Sequence, residues 1–314
     1  MKIIICGATG FIGRNLLEHF CNNDNEVIAI YNKRKPINKF IKKAEWVKAD
    51  LRNPNSIKNY LPNTDLLLQF AATTSGAKDI VQRPYIHVTD NAVMNSLLLR
   101  ESFEAKVKHF IFPSCTVMLQ SKEFQNENDW DPNKDINEKY YGVANTKIYI
   151  EKMCEFYSKL GLKTTAIRHS NVFGPNDKFD LERSHVLGAT IIKVINSLDG
   201  ETINVWGSGK ARRDFIFIND LISFIEKAYL NQKNSFGLYN CGMGYSLSIN
   251  ELVEKIISVS GKNLSLLNDL SKPDIPTALS LDCSKAKREL KWINSTEFIT
   301  ALKETYFWAK NEYG

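Results

Sequence analysis

A tyrosine and a lysine lie close together in the segment EKYYGVANTKI, residues 138–148. A tyrosine followed by a lysine four positions later on one helix can move protons during hydride transfer. The lysine cation helps the phenol hydroxyl, whose ordinary pKa is about 10, to ionise near neutral pH. Here Tyr141 is followed at that distance by Asn145, while Lys147 has Val143 in the tyrosine position.

The helix expected after Tyr141 has a single apolar stripe. Its members recur at helical spacing and are Val143, Ile150, Cys154 and Tyr157. Lys147 falls on this stripe and Asn145 does not. Because a lysine is costly to bury without a partner or a function, we predict that Lys147 is the catalytic lysine.

The tyrosine must then reach Lys147 from outside the regular helix. A step of six residues turns about 240° around a helix, so an unbroken helix would point Tyr141 away from Lys147. We expect a turn or bulge at Gly142 that swings Tyr141 inward as the proton-transfer group. The alternative is that Tyr140 and Tyr141 only pack, and that proton transfer has passed to another group.

Short apolar segments alternate with amphipathic ones through the first half of the chain. Strands are predicted at 2–6, 26–31, near 46, 65–70, 108–112 and 163–168, and helices at 11–23, 53–60, 84–105 and 144–160. This alternation predicts an α/β fold, a Rossmann-like doubly wound parallel sheet with a smaller C-terminal substrate lobe. We assign 1–170 and about 214–240 to a dinucleotide-binding domain, and about 171–213 and 241–314 to the lobe. Ser248 and Glu251 predict a capping box for a helix to about 260, and the last helix is expected at about 296–311.

Three glycines follow the first predicted strand and open the first helix. Glycine allows a tight turn and close approach of the backbone to a pyrophosphate, and the helix N-terminus offers free N–H groups. A tight βα turn without a ligand is the alternative, but the strand–turn–helix context favours dinucleotide binding. The predicted contacts in this turn are Gly7, Thr9, Gly10, Phe11, Ile12 and Gly13.

The second predicted strand runs into AIYNKRK, where an acid would bind the ribose 2′-hydroxyl of NAD and repel the 2′-phosphate of NADP. The segment places Tyr31 and Asn32 at that position, with Lys33 and Arg34 beside them. The lack of an acid favours NADP(H), with Arg34 as the contact. Solvated surface charge is the alternative, and NAD(H) stays open.

More specific stretches are NVFGPNDKFDLERSHV at 171–186 and VWGSGKARRDFIFINDL at 205–221. With FPSC at 112–115, SKPD at 271–274 and RPYIHVTDN at 83–91, they make the chain resemble the extended short-chain dehydrogenases/reductases of the NAD-dependent epimerase/dehydratase family. Within that family it is most similar to the GDP-fucose synthases, over nearly its whole length. The resemblance implies a nicotinamide cofactor, NAD(P)(H), and a GDP-linked nucleotide-sugar substrate.

The resemblance also implies roles for individual residues. Ser114 and His185 match a catalytic serine and a general acid, although a serine there can simply cap a turn and a lone histidine is often structural. Arg213 and Asn171 match diphosphate contacts. Arg213 also suits bidentate phosphate binding by its place at a loop–strand junction, with a salt bridge to Asp214 as the alternative. The remaining matches are Asp50 and Leu51 for the adenine, Ala71 and Ala72 for the cofactor, and Thr116, Val186 and Trp206 for the substrate.

Three departures from the GDP-fucose synthases bear on the reaction. Thr116 replaces their epimerising cysteine, Ala278 and Leu279 replace a basic pair, and the tyrosine–lysine spacing differs. These changes favour a C4 reductase or 4-dehydrogenase that does not epimerise C3 or C5. A bifunctional epimerase/reductase, a 4-epimerase and a non-catalytic nucleotide-binding protein are the alternatives. A 4,6-dehydratase is disfavoured because no Asp–Glu pair follows Ser114.

Composition narrows the remaining possibilities. The 314 residues carry a net charge of +6 without a basic cluster, which disfavours nucleic-acid binding. The six cysteines are scattered without metal-ligand spacing, and no apolar run is long enough to span a bilayer. We expect a cytoplasmic protein without metal or membrane partner. By resemblance, we expect a homodimer formed through the helices near 84–105 and 144–160.

Overall fold

The structure is a computed structural model that describes residues 1–36, 42–73, 83–181, 184–272 and 277–314. The strands are β1 (Lys2–Cys6), β2 (Glu26–Tyr31), β3 (Glu45–Lys48), β4 (Leu66–Gln69), β5 (His109–Pro113), β6 (Lys122–Gln125), β7 (Lys163–His169), β8 (Asn171–Phe173), β9 (Thr202–Trp206), β10 (Arg212–Phe217), β11 (Phe236–Cys241), β12 (Ser246–Ser248), β13 (Ser265–Asp269) and β14 (Leu279–Leu281). The α-helices are α1 (Phe11–Cys21), α2 (Thr89–Glu104), α3 (Tyr141–Lys159), α4 (Val186–Asn196), α5 (Ile218–Asn231), α6 (Ile249–Ser260), α7 (Ser284–Leu290) and α8 (Phe298–Tyr313).

Seven of the described strands form one parallel sheet in the order β11-β7-β5-β4-β1-β2-β3. Its strands are apolar on both faces because helices cover both sides. Ile3 and Ile5 of β1 join one buried cluster with Leu16 of α1, while Ile4 joins the other with Leu98 of α2. The predicted Rossmann-like α/β fold is confirmed.

The remaining described strands form smaller sheets near the carboxyl edge of the main sheet. β10 lies between β8 and β12, β9 pairs with β13, and β6 pairs with β14. Asn171 at the start of β8 faces Phe215 of β10, so Asn171 and Arg213 lie on neighbouring strands. The division into a dinucleotide-binding domain and a substrate lobe stays a prediction.

The structure corrects several predicted elements. Residues 53–60 are not an α-helix but two short 3₁₀ turns, Pro54–Ser56 and Lys58–Tyr60. α3 begins at Tyr141 rather than at 144, directly after a 3₁₀ turn at Glu138–Tyr140. β11 was not among the predicted strands. The capping box of α6 is confirmed, since the side chains of Ser248 and Glu251 each accept a backbone N–H of the other residue.

A buried ion pair ties α3 to the main sheet. Arg168 of β7 donates to both carboxylate oxygens of Glu151 of α3, at 3.0 and 2.8 Å, and also to the carbonyl of Glu127 at 3.0 Å. Both charged side chains are almost fully buried, with exposures of 3% and 6%. The bidentate geometry fixes how α3 lies against the end of the sheet.

We predict that Arg168→Met lowers the free energy of unfolding by about 3–5 kcal/mol, because it leaves the Glu151 carboxylate buried without its partner. Urea unfolding of the full chain measures this change. Lys152→Met is the matched control. It breaks the exposed Lys152–Glu155 pair on the same helix and should cost less than about 1 kcal/mol. Equal costs for the two variants would contradict this account of the buried pair.

Candidate active site

The turn after β1 brings the backbone into close contact with the loop after β4. Gly7 has a φ of 75°, and a Cβ there would lie 2.7 Å from the nitrogen of Ala71 and the carbonyl oxygen of Phe70. A Cβ on Gly13 would lie 2.2 Å from the Gly7 carbonyl oxygen. Both positions therefore need glycine, and the first helix packs directly on the turn.

The N-terminus of α1 is open for an anion. Gly10 is the N-cap residue, no side chain caps the helix, and the first turn holds no acid. Thr9 is buried, and Phe11 and Ile12 pack partly on the core, so these neighbours hold the turn in place. Uncapped N–H groups at the positive end of a helix dipole suit a pyrophosphate. The residues fit a dinucleotide at this site.

The adenine end of the predicted cofactor site is cationic. Lys33 and Arg34 are exposed after β2. Leu51 is buried, whereas the neighbouring Asp50 carboxylate accepts two bonds from the Arg52 guanidinium, at 2.7 and 3.0 Å. These bonds lower the pKa of Asp50 to about 2.

A small cavity joins the cofactor loop to α3. Its walls are the loop after β4, α2, the end of β5 and one face of α3, through Gln69, Phe70, Ala71, Ala72, His87, Asn91, Asn95, Phe112, Pro113, Val143, Thr146, Lys147 and Ile150. The Lys147 ammonium donates to the carbonyl of Pro113 at 2.6 Å and lies 4.6 Å from the centre of the Phe112 ring. Burial lowers the pKa of Lys147. The structure thus places Lys147 beside Ala71 and Ala72, with Val143 one helical turn before it.

Tyr141 does not reach this cavity, which corrects the bulge expected at Gly142. Tyr141 has helical dihedral angles, φ −50° and ψ −51°, and α3 continues through Gly142 without interruption. Its side chain is 63% exposed and lines an outer groove between α2 and α3 with Val88, Ala92 and Tyr149. Because the helix is unbroken, the six-residue step from Tyr141 to Lys147 points the two side chains in different directions.

Ser114 is fully buried at the end of β5. Its hydroxyl donates to the Glu151 carboxylate at 2.5 Å, next to Arg168. Cys115, the next residue, lies near Lys147, which opposes the rise that burial causes in the pKa of the thiol. Thr116 is partly buried, and its carbonyl closes a turn with the N–H of Leu119.

The predicted diphosphate residues lie on adjacent strands. Asn171 donates to the carbonyl of Asp214 at 2.8 Å. Arg213 donates to the carbonyl of Arg212 at 2.9 Å and to the hydroxyl of Thr277. Burial lowers the pKa of Arg213, and the nearby Tyr140 opposes that shift.

The Asp214 carboxylate is not the partner of Arg213. It is fully buried and accepts backbone N–H groups of Met243, Gly244 and Leu281, at 2.8, 3.3 and 3.0 Å. Within the described residues, the guanidinium of Arg213 therefore forms no bond to a carboxylate.

The other predicted substrate residues are exposed. His185 is the N-cap of α4, and Val186 is its first residue. Trp206, at the end of β9, is 66% exposed, and the Lys272 ammonium lies 5.8 Å from its ring centre.

Sequence reasoning missed His169, the last residue of β7. Burial, together with smaller effects of the nearby Lys147 and His185, lowers the pKa of His169 to about 4. His169 thus lies near both Lys147 and His185. The available signal was its place directly before SNVFGP, at the carboxyl end of a buried strand.

Two other expectations concern metals and membranes. The described residues contain no cluster of three or more histidine, cysteine, aspartate or glutamate side chains that could hold a metal ion. Among the described helices, none is both long and apolar enough to cross a membrane.

Curated proteins of known activity are similar to the chain over its full length. It is 27% identical to a GDP-L-fucose synthase of Azorhizobium caulinodans, covering 97% of this chain and 95% of that protein. It is 26% identical to a GDP-L-colitose synthase of Yersinia pseudotuberculosis, covering 99% of each. A dTDP-4-dehydro-6-deoxy-D-allose reductase of a Streptomyces species is 23% identical and covers 98% of this chain and 95% of its own.

Solved structures share the fold. A UDP-glucose 4-epimerase from Thermotoga maritima superposes with a TM-score of 0.87 at 22% identity, covering 100% of both chains. The UDP-glucuronic acid 4-epimerase of Bacillus cereus, solved with UDP-glucuronic acid and NAD, gives 0.85 at 23% identity, again over 100% of both.

The family model described as NAD dependent epimerase/dehydratase matches residues 3–242, which include the glycine turn, the Lys147 cavity and both phosphate-side strands. The predicted family, with GDP-fucose synthases among its near relatives, is confirmed. The chain belongs to the NAD-dependent epimerase/dehydratase family of enzymes.

Proposed function

We propose that this enzyme is an NAD(P)-dependent oxidoreductase of a GDP-linked nucleotide sugar. It interconverts a 4-keto group and a 4-hydroxyl without epimerising C3 or C5. The observation that carries the proposal is Thr116, which stands where the GDP-fucose synthases are expected to carry a cysteine. A similar protein is named as a reductase of a 4-dehydro-6-deoxy sugar, which supports C4 as the reacting carbon.

Epimerisation next to a ketone requires a base that removes a carbon-bound proton. A thiolate suits this role because its pKa can be tuned towards neutrality, whereas a threonine hydroxyl is far too weak a base. Cys115 does not replace the missing thiolate well, since burial raises the pKa of its thiol. When bound, the nicotinamide would supply or accept the hydride at C4, and Lys147 would hold it beside Ala71 and Ala72.

We predict no enzyme-dependent exchange at C3 or C5 when the protein is incubated with a GDP-4-keto-6-deoxy sugar in deuterated water without reduced cofactor. The same sugar should oxidise NAD(P)H when both are present. Proton NMR follows C3 and C5, and absorbance follows the cofactor.

The Thr116→Cys variant is the matched comparison, because it restores the thiol at that position and should introduce exchange. Exchange by the wild-type protein would contradict the proposal and favour the bifunctional epimerase/reductase. If the protein neither exchanges these protons nor oxidises NAD(P)H, a non-catalytic nucleotide-binding protein is favoured. The outward position of Tyr141 and the buried hydroxyl of Ser114 support that candidate.

Arg213 and Asn171 are proposed to hold the nucleotide diphosphate. Within the described residues, the Arg213 guanidinium bonds only to neutral oxygens, so it retains capacity for an anion. Arg213→Ala should weaken GDP binding at least about tenfold, since a charge-assisted hydrogen bond contributes roughly 1.5–3 kcal/mol. Titration calorimetry measures this loss, with the exposed neighbour Lys210→Ala as the control. Unchanged GDP affinity in Arg213→Ala would remove this residue from the site.

For the cofactor, we propose NADP(H) as the preferred form. The support is the exposed Lys33–Arg34 pair after β2, where an acid would repel a 2′-phosphate. Arg34→Ser should weaken NADPH binding about tenfold and leave NADH binding within about twofold. Fluorescence titration with both cofactors tests this. Equal losses for the two would contradict a 2′-phosphate contact.

We also propose a homodimer that packs α2 and α3 of one protomer on those of its partner. This face exposes Val93 of α2 and Tyr141, Tyr149 and Phe156 of α3, each at least 40% exposed. Contiguous exposed apolar side chains of this kind mark interaction surfaces. Light scattering should give twice the chain mass of 35.8 kDa. Tyr149→Glu, placed in the middle of the face, should shift the protein towards the monomer, and a monomeric wild-type chain would contradict the proposal.

A further inference from the structure

The residue that moves the substrate proton is still to be identified. In the cavity, the position one turn before Lys147 is occupied by Val143, which has no proton to exchange. Tyr141 points to the outer groove. Tyr140 caps α3 seven residues before Lys147, about 10 Å along the helix axis, and lies near Arg213 at the diphosphate side.

His169 lies at the carboxyl end of β7, near Lys147 and His185. It is the last residue of β7, which pairs with β5 in the sheet. Ile167, two residues before it, pairs with Pro113 of β5. Pro113 provides the carbonyl that holds the Lys147 ammonium. The imidazole is therefore at the carboxyl edge of the sheet, where ligands of open α/β sheets bind.

One hydrogen bond assigns the tautomer of His169. Its Nδ1 lies 2.8 Å from the carbonyl oxygen of Ser170. A carbonyl only accepts, so in the neutral ring Nδ1 carries the proton and donates. Nε2 then carries a lone pair and is a proton acceptor.

The groups around the ring keep it neutral. Burial is the main cause that lowers the pKa of His169 to about 4, and Lys147 on α3 and His185 at the start of α4 act in the same direction. Its partner on β11 is Cys241, whose buried thiol has a raised pKa and stays uncharged. The neutral ring keeps the Nε2 lone pair available across the physiological range, and the lowered pKa makes it a weaker acceptor than an imidazole of ordinary pKa.

We propose that His169 is the proton acceptor for the sugar 4-hydroxyl, in place of the tyrosine that precedes the lysine elsewhere in this chemistry. The inference rests on the proposed C4 redox function. In the oxidation direction the O4–H bond breaks and its proton goes to Nε2 of His169. The C4–H electron pair leaves as hydride to the oxidised nicotinamide, and the C4–O bond becomes a carbonyl. Reduction runs the same steps backwards.

The kinetic test uses His169→Asn, because the Asn amide can still donate to the Ser170 carbonyl but cannot accept a proton. We expect kcat for oxidation of a GDP-sugar to fall at least about 100-fold, with sugar and cofactor affinities unchanged. Tyr141→Phe, which changes only a ring in the outer groove, should stay within about threefold of wild type. In the wild type, kcat should stay constant as the pH is lowered to about 5. It should then decrease as the pH falls through the His169 pKa of about 4, because the ring becomes protonated.

A second readout does not depend on turnover. Imidazole ¹⁵N NMR of the full chain, with the five histidines distinguished by single variants, should show His169 neutral at pH 6 with its proton on Nδ1. Lys147→Met should raise the pKa of His169, because it removes a nearby cation. An imidazole that titrates near pH 6.5 in both proteins would overturn the assignment.

The possible failures are distinguishable. A wild-type enzyme that turns over while His169→Asn is equally active, and Tyr140→Phe or Tyr141→Phe is inactive, would overturn the role of His169 alone. A wild-type chain that turns over no GDP-sugar would overturn the proposed function, and the role of His169 would fall with it.

Discussion

The burial of one ammonium group, that of Lys147, organises the centre of this molecule. A lysine on the sheet-facing side of a helix is costly to bury unless its charge is compensated. Here the compensation is the carbonyl of Pro113 at 2.6 Å and the face of the Phe112 ring. Both partners lie at the end of β5, so α3 must cross the carboxyl edge of the sheet at that point. The cofactor loop after β4 then lies against the same cavity.

The Glu151–Arg168 pair holds this arrangement from the other side. Glu151 is one helical turn after Lys147, and Arg168 extends from β7, so the ion pair fixes the rotation of α3 about its axis. With that rotation set, Tyr141 cannot enter the cavity, and Val143 must. The same pair holds Ser114, whose hydroxyl bonds to Glu151 rather than facing the cleft. Interactions that stabilise the fold therefore decide which polar groups are available for chemistry.

Much of this could be predicted from the sequence because it rests on local patterns. The apolar strands, the glycine turn and the place of Lys147 on the buried stripe all follow from spacings within one element. The position of Tyr141 did not follow, because periodicity does not show whether the chain before a helix is already helical. Here a 3₁₀ turn at Glu138–Tyr140 leads directly into α3. The helix predicted at 53–60 did not form for a related reason. The Asn53 side chain accepts the backbone N–H of Asn55, and the 3₁₀ turn that begins at Pro54 is too short to become an α-helix.

The environment of His169 depends on contacts distant in sequence. Its neighbours come from α3 and from the start of α4, so the sequence shows only its place before SNVFGP at the end of a buried strand. The diphosphate side is similar, since Arg213 and Asn171 meet only because β8 and β10 are adjacent strands. The roles of Ser114, Lys147, His185 and Arg213 in the reaction stay predictions, although the structure places Lys147 with the cofactor loop.

The central claim is that this chain transfers hydride to and from C4 of a nucleotide sugar as a net reaction. The most direct measurement uses reduced cofactor carrying deuterium at the transferable position, a GDP-4-keto-6-deoxy sugar, and NMR of the isolated product. The account predicts one deuterium at C4, on a single face, with C3 and C5 retaining their configuration. A product without deuterium at C4, a product with inverted C3 or C5, or no product at all would contradict it.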